Sequence, residues 1–179
     1  MQRLDWVPAT SAPHLLAPPV AQALAVHASL AAQVMVAPID PGLADTQAFV
    51  DAYDVSLEES ANCLVVLGRR GERETVAATV VLATTRADVN TTVRKRLEAR
   101  RASFMPMDRV VDETGMEHGG ITPVGLPEPW LLLVDRRVVD QPSVVVGAGV
   151  RGAKLQLPGA LLCELPGVEV VDGLAVPLA

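Results

Sequence analysis

Between Ala102 and Pro127 the chain carries four glycines and three prolines, and this punctuation restricts what can be built around it. Pro106 suits the first turn of a helix, where its missing N–H costs nothing. Gly115 sits where a helix ending in left-handed geometry favours a residue without Cβ. A short helix feeding a glycine turn follows. Gly119 and Gly120 allow backbone N–H groups to approach another molecule closely, and Pro123 stiffens the exit from Gly119-Gly120-Ile121-Thr122-Pro123. Such a loop serves either as a plain structural turn or as a mount for N–H donors aimed at a developing oxyanion.

The remaining bounds come from composition. Half of the 179 residues are hydrophobic but only 3% are aromatic, so the core must be built from Val, Leu and Ala. A surface of stacked aromatics for single-stranded nucleic acid is disfavoured. The length predicts a single domain over 1–179, with an irregular proline-rich segment at about 1–18. The formal charge of −6 is unevenly placed: residues 69–109 hold ten bases against five acids, while both flanks are acidic. A basic middle on an acidic chain fits either a solvated helix face or local contact with phosphates. Cys63 and Cys163 are far apart and belong to no ligand spacing, which argues against a metal site. With no leader pattern and no long apolar run, a cytoplasmic protein with no membrane association is expected.

Taken in order, the pattern predicts a helix from Pro19 to about Ala32 and a strand from Gln33 to Ile39 that ends at Asp40-Pro41-Gly42. A short helix capped by Asp45 or Thr46 comes next. Ser56-Leu57-Glu58-Glu59 has the form of a capping box and predicts a further helix of one to two turns. That helix delivers Asn62 to the mouth of the strand Cys63–Leu67, where alternation turns Asn62 to a pocket and Cys63 to the core. Gly68–Gly71 forms a hairpin to a strand over Thr75–Thr84. Asp88 or Asn90 caps a helix to about Arg101, with Val89, Val93 and Leu97 buried and Arg94, Lys95, Arg96, Arg100 and Arg101 outside. Strands at Trp130–Val134, Ser143–Val146, Lys154–Leu157 and Val168–Val171, with a short helix from Pro158, complete the chain. Without regular βαβ alternation, the class is α+β with a mixed sheet.

Four blocks in the order of the chain carry a family resemblance: Ser60–Val66, the Gly119-x-x-x-Pro123 loop, Trp130–Asp135 and Val144–Leu155. Together they resemble the YbaK superfamily, the prolyl-tRNA synthetase insertion-domain superfamily of aminoacyl-tRNA deacylases, over roughly residues 30 to 172. The resemblance implies a mixed sheet curled towards a barrel with helices outside. It also implies hydrolysis of the ester joining a wrong amino acid to the terminal ribose of a tRNA. No cofactor, metal or DNA is implied; the partner is the acceptor end of mischarged tRNA. In that family the substrate's own neighbouring hydroxyl is thought to orient or activate water. The enzyme is left to place the ester, stabilise its oxyanion and exclude wrong side chains. Carried over by position, Gly119 and Gly120 lend amides to the oxyanion, with Thr122 and Pro123 shaping the loop. Gly147-Ala148-Gly149 forms either a second glycine turn beside the substrate or a tight hairpin. Asp135 holds a ribose hydroxyl or a turn, and His118 is an acid–base candidate or a loop residue. The pocket that sets the amino acid is expected to involve Met105, Met107 and Val124. Many members have lysine where this chain has Asn62, and some have Ser and Asp in place of Gly147 and Lys154. The missing charge is expected from Lys154 or Arg151; the alternative is a binding module that no longer hydrolyses.

Overall fold

A computed structural model describes residues 1–178. Its strands are β1 (Val7–Pro8), β2 (Met35–Pro38), β3 (Ala61–Arg70), β4 (Arg73–Leu82), β5 (Thr85–Ala87), β6 (Arg101–Phe104), β7 (Leu131–Asp135), β8 (Val144–Gly147), β9 (Ala153–Leu157), β10 (Val168–Val171) and β11 (Ala175–Pro177). The α-helices are α1 (Pro18–Val26), α2 (Ala28–Ala31), α3 (Thr46–Ala52), α4 (Arg94–Arg96), α5 (Met107–Thr114) and α6 (Arg136–Val139). The class is α+β, as the pattern predicts.

The apolar runs of β3 and β4 pair in full register from Ala61↔Leu82 to Arg70↔Arg73, and Gly71 takes the positive φ of 63° that so short a turn needs. They sit inside a five-stranded mixed sheet of order β10-β7-β4-β3-β6, in which β7 runs parallel to both β10 and β4. A four-stranded antiparallel sheet, β1-β2-β9-β8, lies against it. A third pairing joins β11 to β5. The sheets stay open; the curl expected from the family takes the form of a seam, where Ser60 bridges to Val145 and the Val145 N–H donates to the Glu59 carbonyl. The largest apolar cluster fills the space between sheets and α1 with Val, Leu and Ala, including Val20, Leu30, Val80, Val134, Val146 and Leu155.

Several elements depart from the sequence reading. The helix after Pro18 breaks at His27, whose φ of −114° leaves the helical region, so two helices replace one. The capping box forms with Ser56 N–H to Glu59 Oε2 at 3.0 Å and Glu59 N–H to Ser56 Oγ at 3.3 Å. It closes only a turn, because Ser60 and Ala61 are drawn into sheet pairing. Asp88 caps its helix through the Thr91 and Thr92 N–H groups, yet the helix ends at Leu97. Beyond Glu98 (φ 50°) the chain becomes β6 along the edge of β3. An unpaired strand edge outcompetes further helix here, since each added residue there satisfies the sheet as well as the chain. Residues Gly159–Glu164 form a 3₁₀ helix after Pro158. The proline-rich N-terminal segment lacks long elements but is packed: Leu4, Ala9, Ala12 and Leu16 are buried.

Candidate functional site

Pairing between β3 and β6 stops at Met105, whose N–H donates to the Val65 carbonyl at 2.9 Å. Pro106 has no N–H to continue the ladder and instead caps α5, which ends at Gly115 with φ 66° and ψ 22°. The first half of β3 is therefore left with an open edge. Into this gap fall the start of α3, the loop after α5, the end of β8 and the side of β9. Together they enclose a cleft of about 200 Å³. Of the residues singled out from the sequence, Asn62, Met107, His118, Gly119, Gly147 and Lys154 line it, and so does Cys63, which alternation turned to the core: at the open edge of β3 both of its neighbouring side chains border the gap.

Two glycine turns form one wall, stacked backbone on backbone. The Gly149 N–H donates to the Gly120 carbonyl at 2.8 Å and the Glu117 N–H to the Gly149 carbonyl at 2.8 Å. A Cβ on Gly147 would stand 2.3 Å from Gly120 O and 2.6 Å from Ile121 O, so only glycine permits this approach. Gly119 has φ 86°, and its Cβ would lie 2.2 Å from Arg151 Nη1. The amides divide unequally. That of Gly120 donates to the Glu117 carbonyl at 2.9 Å and is directed into the turn. Gly119 and Ile121 are among the residues that line the cleft, and their N–H groups donate to no protein acceptor among the described residues.

The polar side chains come from α3, β3 and β9, with Lys154 paired across the sheet from Gly147. Asn62 Oδ1 accepts a hydrogen bond from Thr46 Oγ1 at 2.7 Å, which leaves both amide N–H groups of Asn62 unspent. Lys154 Nζ donates to the Ala44 carbonyl at 2.9 Å and stands 5.1 Å from the centre of the Phe49 ring. Burial pulls the Lys154 ammonium down from 10.5 to about 8; the neighbouring Arg151 charge adds to this and Asp45 opposes it. Arg151 ties the rims together. Its side chain donates to the carbonyls of Pro41 (2.8 Å) and His118 (3.3 Å), and lies 3.5 Å from Asp45.

Thr122, Pro123, Gly149, Asp135 and Val124 lie elsewhere. Thr122 and Pro123 are buried behind the loop, and Thr122 Oγ1 has no hydrogen-bond partner among the described residues. Gly149 (φ 80°) packs against Ala17 and Val20. Asp135, 1% exposed, uses its carboxylate to accept from the Arg137 N–H, the Arg137 side chain and the Ala175 N–H. Those bonds fasten β7, α6 and β11, and Asp135 does not line the cleft. Val124 is likewise core. Sequence reasoning missed Thr46, Ile121 and Leu64. Thr46 was legible only as a helix cap, since nothing local says that α3 will face β3.

An apolar pocket of about 170 Å³ adjoins the cleft and shares Cys63, Leu64, Met107 and Ile121 with it; Val65, Phe104, Met105 and Val110 complete its walls. Burial pushes the Cys63 thiol up to about 12, so it is no thiolate nucleophile at neutral pH. Among the described residues no three His, Cys, Asp or Glu side chains gather as metal ligands, and no helix is long and apolar enough to cross a membrane.

Comparison with known proteins identifies the family and the fold. The model of a family described as an aminoacyl-tRNA editing domain matches residues 40–165. No curated protein sequence matches the chain. Among solved structures, the hypothetical protein APE2540 is 25% identical, with TM-score 0.65 over 79% of this chain and 90% of that one. A candidate trans-editing enzyme for prolyl-tRNA synthetase is 20% identical, with TM-score 0.68 over 88% of this chain and 97% of its own. A scaffold used in computational epitope grafting is 21% identical, with TM-score 0.71 over 90% and 97%. The last two speak for the fold alone.

Proposed function

This chain belongs to the aminoacyl-tRNA editing domain family, whose role is tRNA editing, and from that premise we propose that it acts in trans as a deacylase of mischarged tRNA. The observation that carries this reading is the unspent Gly119 N–H, held at positive φ in the wall of a cleft. Water adds to the ester carbonyl and the oxygen gains negative charge. The Gly119 amide, with that of Ile121 beside it, donates to that oxygen in place of the Gly119 and Gly120 pair expected from sequence. The C–O bond to the ribose then breaks, releasing the amino acid and a free tRNA hydroxyl. The substrate's neighbouring ribose hydroxyl orients the water, so no protein nucleophile is needed.

Asn62 and Lys154 share the remaining work. The Asn62 amide donates to the terminal ribose, a neutral contact where a family lysine would give a charge-assisted one. Lys154 supplies the cation from the neighbouring wall, and Arg151, occupied at the rim, is left to hold the loops. His118 stands at the mouth beside the terminal adenosine, and Gly147 keeps that wall flat. The adjoining apolar pocket takes the amino-acid side chain and sets its size. The test is turnover of a panel of mischarged tRNAs by the pure protein, with and without Gly119→Ala. The added methyl must displace Arg151 or the loop, and loss of the amide's aim is expected to lower kcat by about 10²–10³. Binding of mischarged tRNA without any turnover by the wild type would replace the enzyme with a binding module.

A further inference from the structure

A second depression, of about 510 Å³, lies at the other end of β3. Arg69 of β3, Asn90 and Arg94 of the preceding helical turn, Arg100 just before β6, and Arg101 and Ser103 on β6 line it, with no carboxylate among its walls. Two of its guanidinium groups are committed. Arg69 pairs with Glu74 at 2.9 Å, and Arg94 donates to the Asn90 carbonyl at 2.7 Å. Arg100 and Arg101 are exposed and make no ion pair among the described residues. Their neighbours hold the groove's shape, and these two present free planar forks suited to phosphate oxygens.

The placement is what gives the groove meaning. Arg69, in the groove, lies five positions along β3 from Leu64, in the cleft, a span of about 17 Å. At one phosphate per 3.4 Å of axis along a duplex strand, that span covers about five phosphates. Phe104, at the opposite end of β6 from Arg101, is 58% exposed and borders the apolar pocket beside the cleft. An aromatic face followed by a line of arginines is the arrangement that receives a short single strand running into a duplex. A chain of net charge −6 repels polyanions over the rest of its surface, so this groove also orients the encounter.

We propose that the Arg69–Arg94–Arg100–Arg101 groove holds the backbone phosphates of the acceptor arm whose aminoacyl end enters the cleft, with Phe104 stacked on a base of the single-stranded terminus. The proposal rests on the editing reading for the identity of the RNA. It is tested with uncharged tRNA, which carries no ester and therefore reads the groove apart from the chemistry. Binding is measured from about 50 mM to 200 mM salt for the wild type, the double variant Arg100→Gln/Arg101→Gln, Phe104→Ala, and Arg136→Gln as a charge control on α6. The double variant is expected to bind about tenfold more weakly at low salt, with a salt slope smaller by about two. Phe104→Ala weakens binding and keeps the slope, Arg136→Gln matches the wild type, and melting temperatures show that every variant is folded. Unchanged affinity and slope in the double variant, an equal loss in Arg136→Gln, or no tRNA binding by the wild type overturns the proposal. Ester turnover with no effect of the arginines sinks the groove alone; a lost slope with no turnover sinks the deacylase alone.

Discussion

Lys154 carries the most exacting chemistry of any residue in the cleft, because its charge is held there against the cost of burial. With its ammonium lowered to about 8, it is charged at neutral pH and loses the proton as pH rises past that value. The KM for mischarged tRNA is therefore expected to climb across that pH range, and Lys154→Arg, charged throughout, should flatten the climb. A climb that persists in Lys154→Arg removes Lys154 from the binding role. The sign for stability is opposite. Between about 8 and 10.5 the unfolded chain binds this proton more tightly than the fold, so the contribution of Lys154 to stability increases as pH rises through that window. Thr122 poses a simpler case, since its fully buried hydroxyl has no partner among the described residues. Thr122→Val is expected to raise unfolding stability by about 1 kcal/mol, read from the denaturant midpoint.

Among the elements, the stacked glycine turns are the part whose tolerances are tightest. Gly147→Ala would place a methyl against two backbone oxygens that no side-chain rotation can move. A loss of about 1–3 kcal/mol is expected, together with lower turnover at temperatures where the variant stays folded; unaltered stability would show that the two turns do not touch. This part of the fold was legible because a helix stop at Gly115, the glycine pair and the apolar runs of β3, β4, β7 and β8 are local signals. β6 was not, because Arg101–Phe104 is a short segment, half of it polar, that becomes a strand only when the edge of β3 is beside it. The same reasoning separates the site residues. Gly119 and Gly147 announce their backbone freedom in the sequence, whereas Thr46 and Ile121 depend on which distant element arrives opposite. Asp135 ends a strand as expected, but Arg137 and Ala175 take up its carboxylate, and only the fold could reveal that.

For the molecule as a whole, stability and function are distributed unevenly. The Asp135 network draws the end of the chain onto the mixed sheet, and Asp135→Ala would leave the buried Ala175 N–H without a partner and Arg137, half-exposed, with the Ala175 carbonyl alone. An unfolding free energy lower by about 1–3 kcal/mol is expected from chemical denaturation, and a change well under 1 kcal/mol would show that β11 is held by other means. The apolar pocket lies at the other extreme. Val65, Met105 and Val110 are at once its walls and, with Leu67, a small buried cluster of their own. Widening that recess for a bulkier amino acid would hollow out a structural support. Laboratory evolution towards new substrates should therefore stall in the unmodified background and proceed once the scaffold has first been reinforced elsewhere.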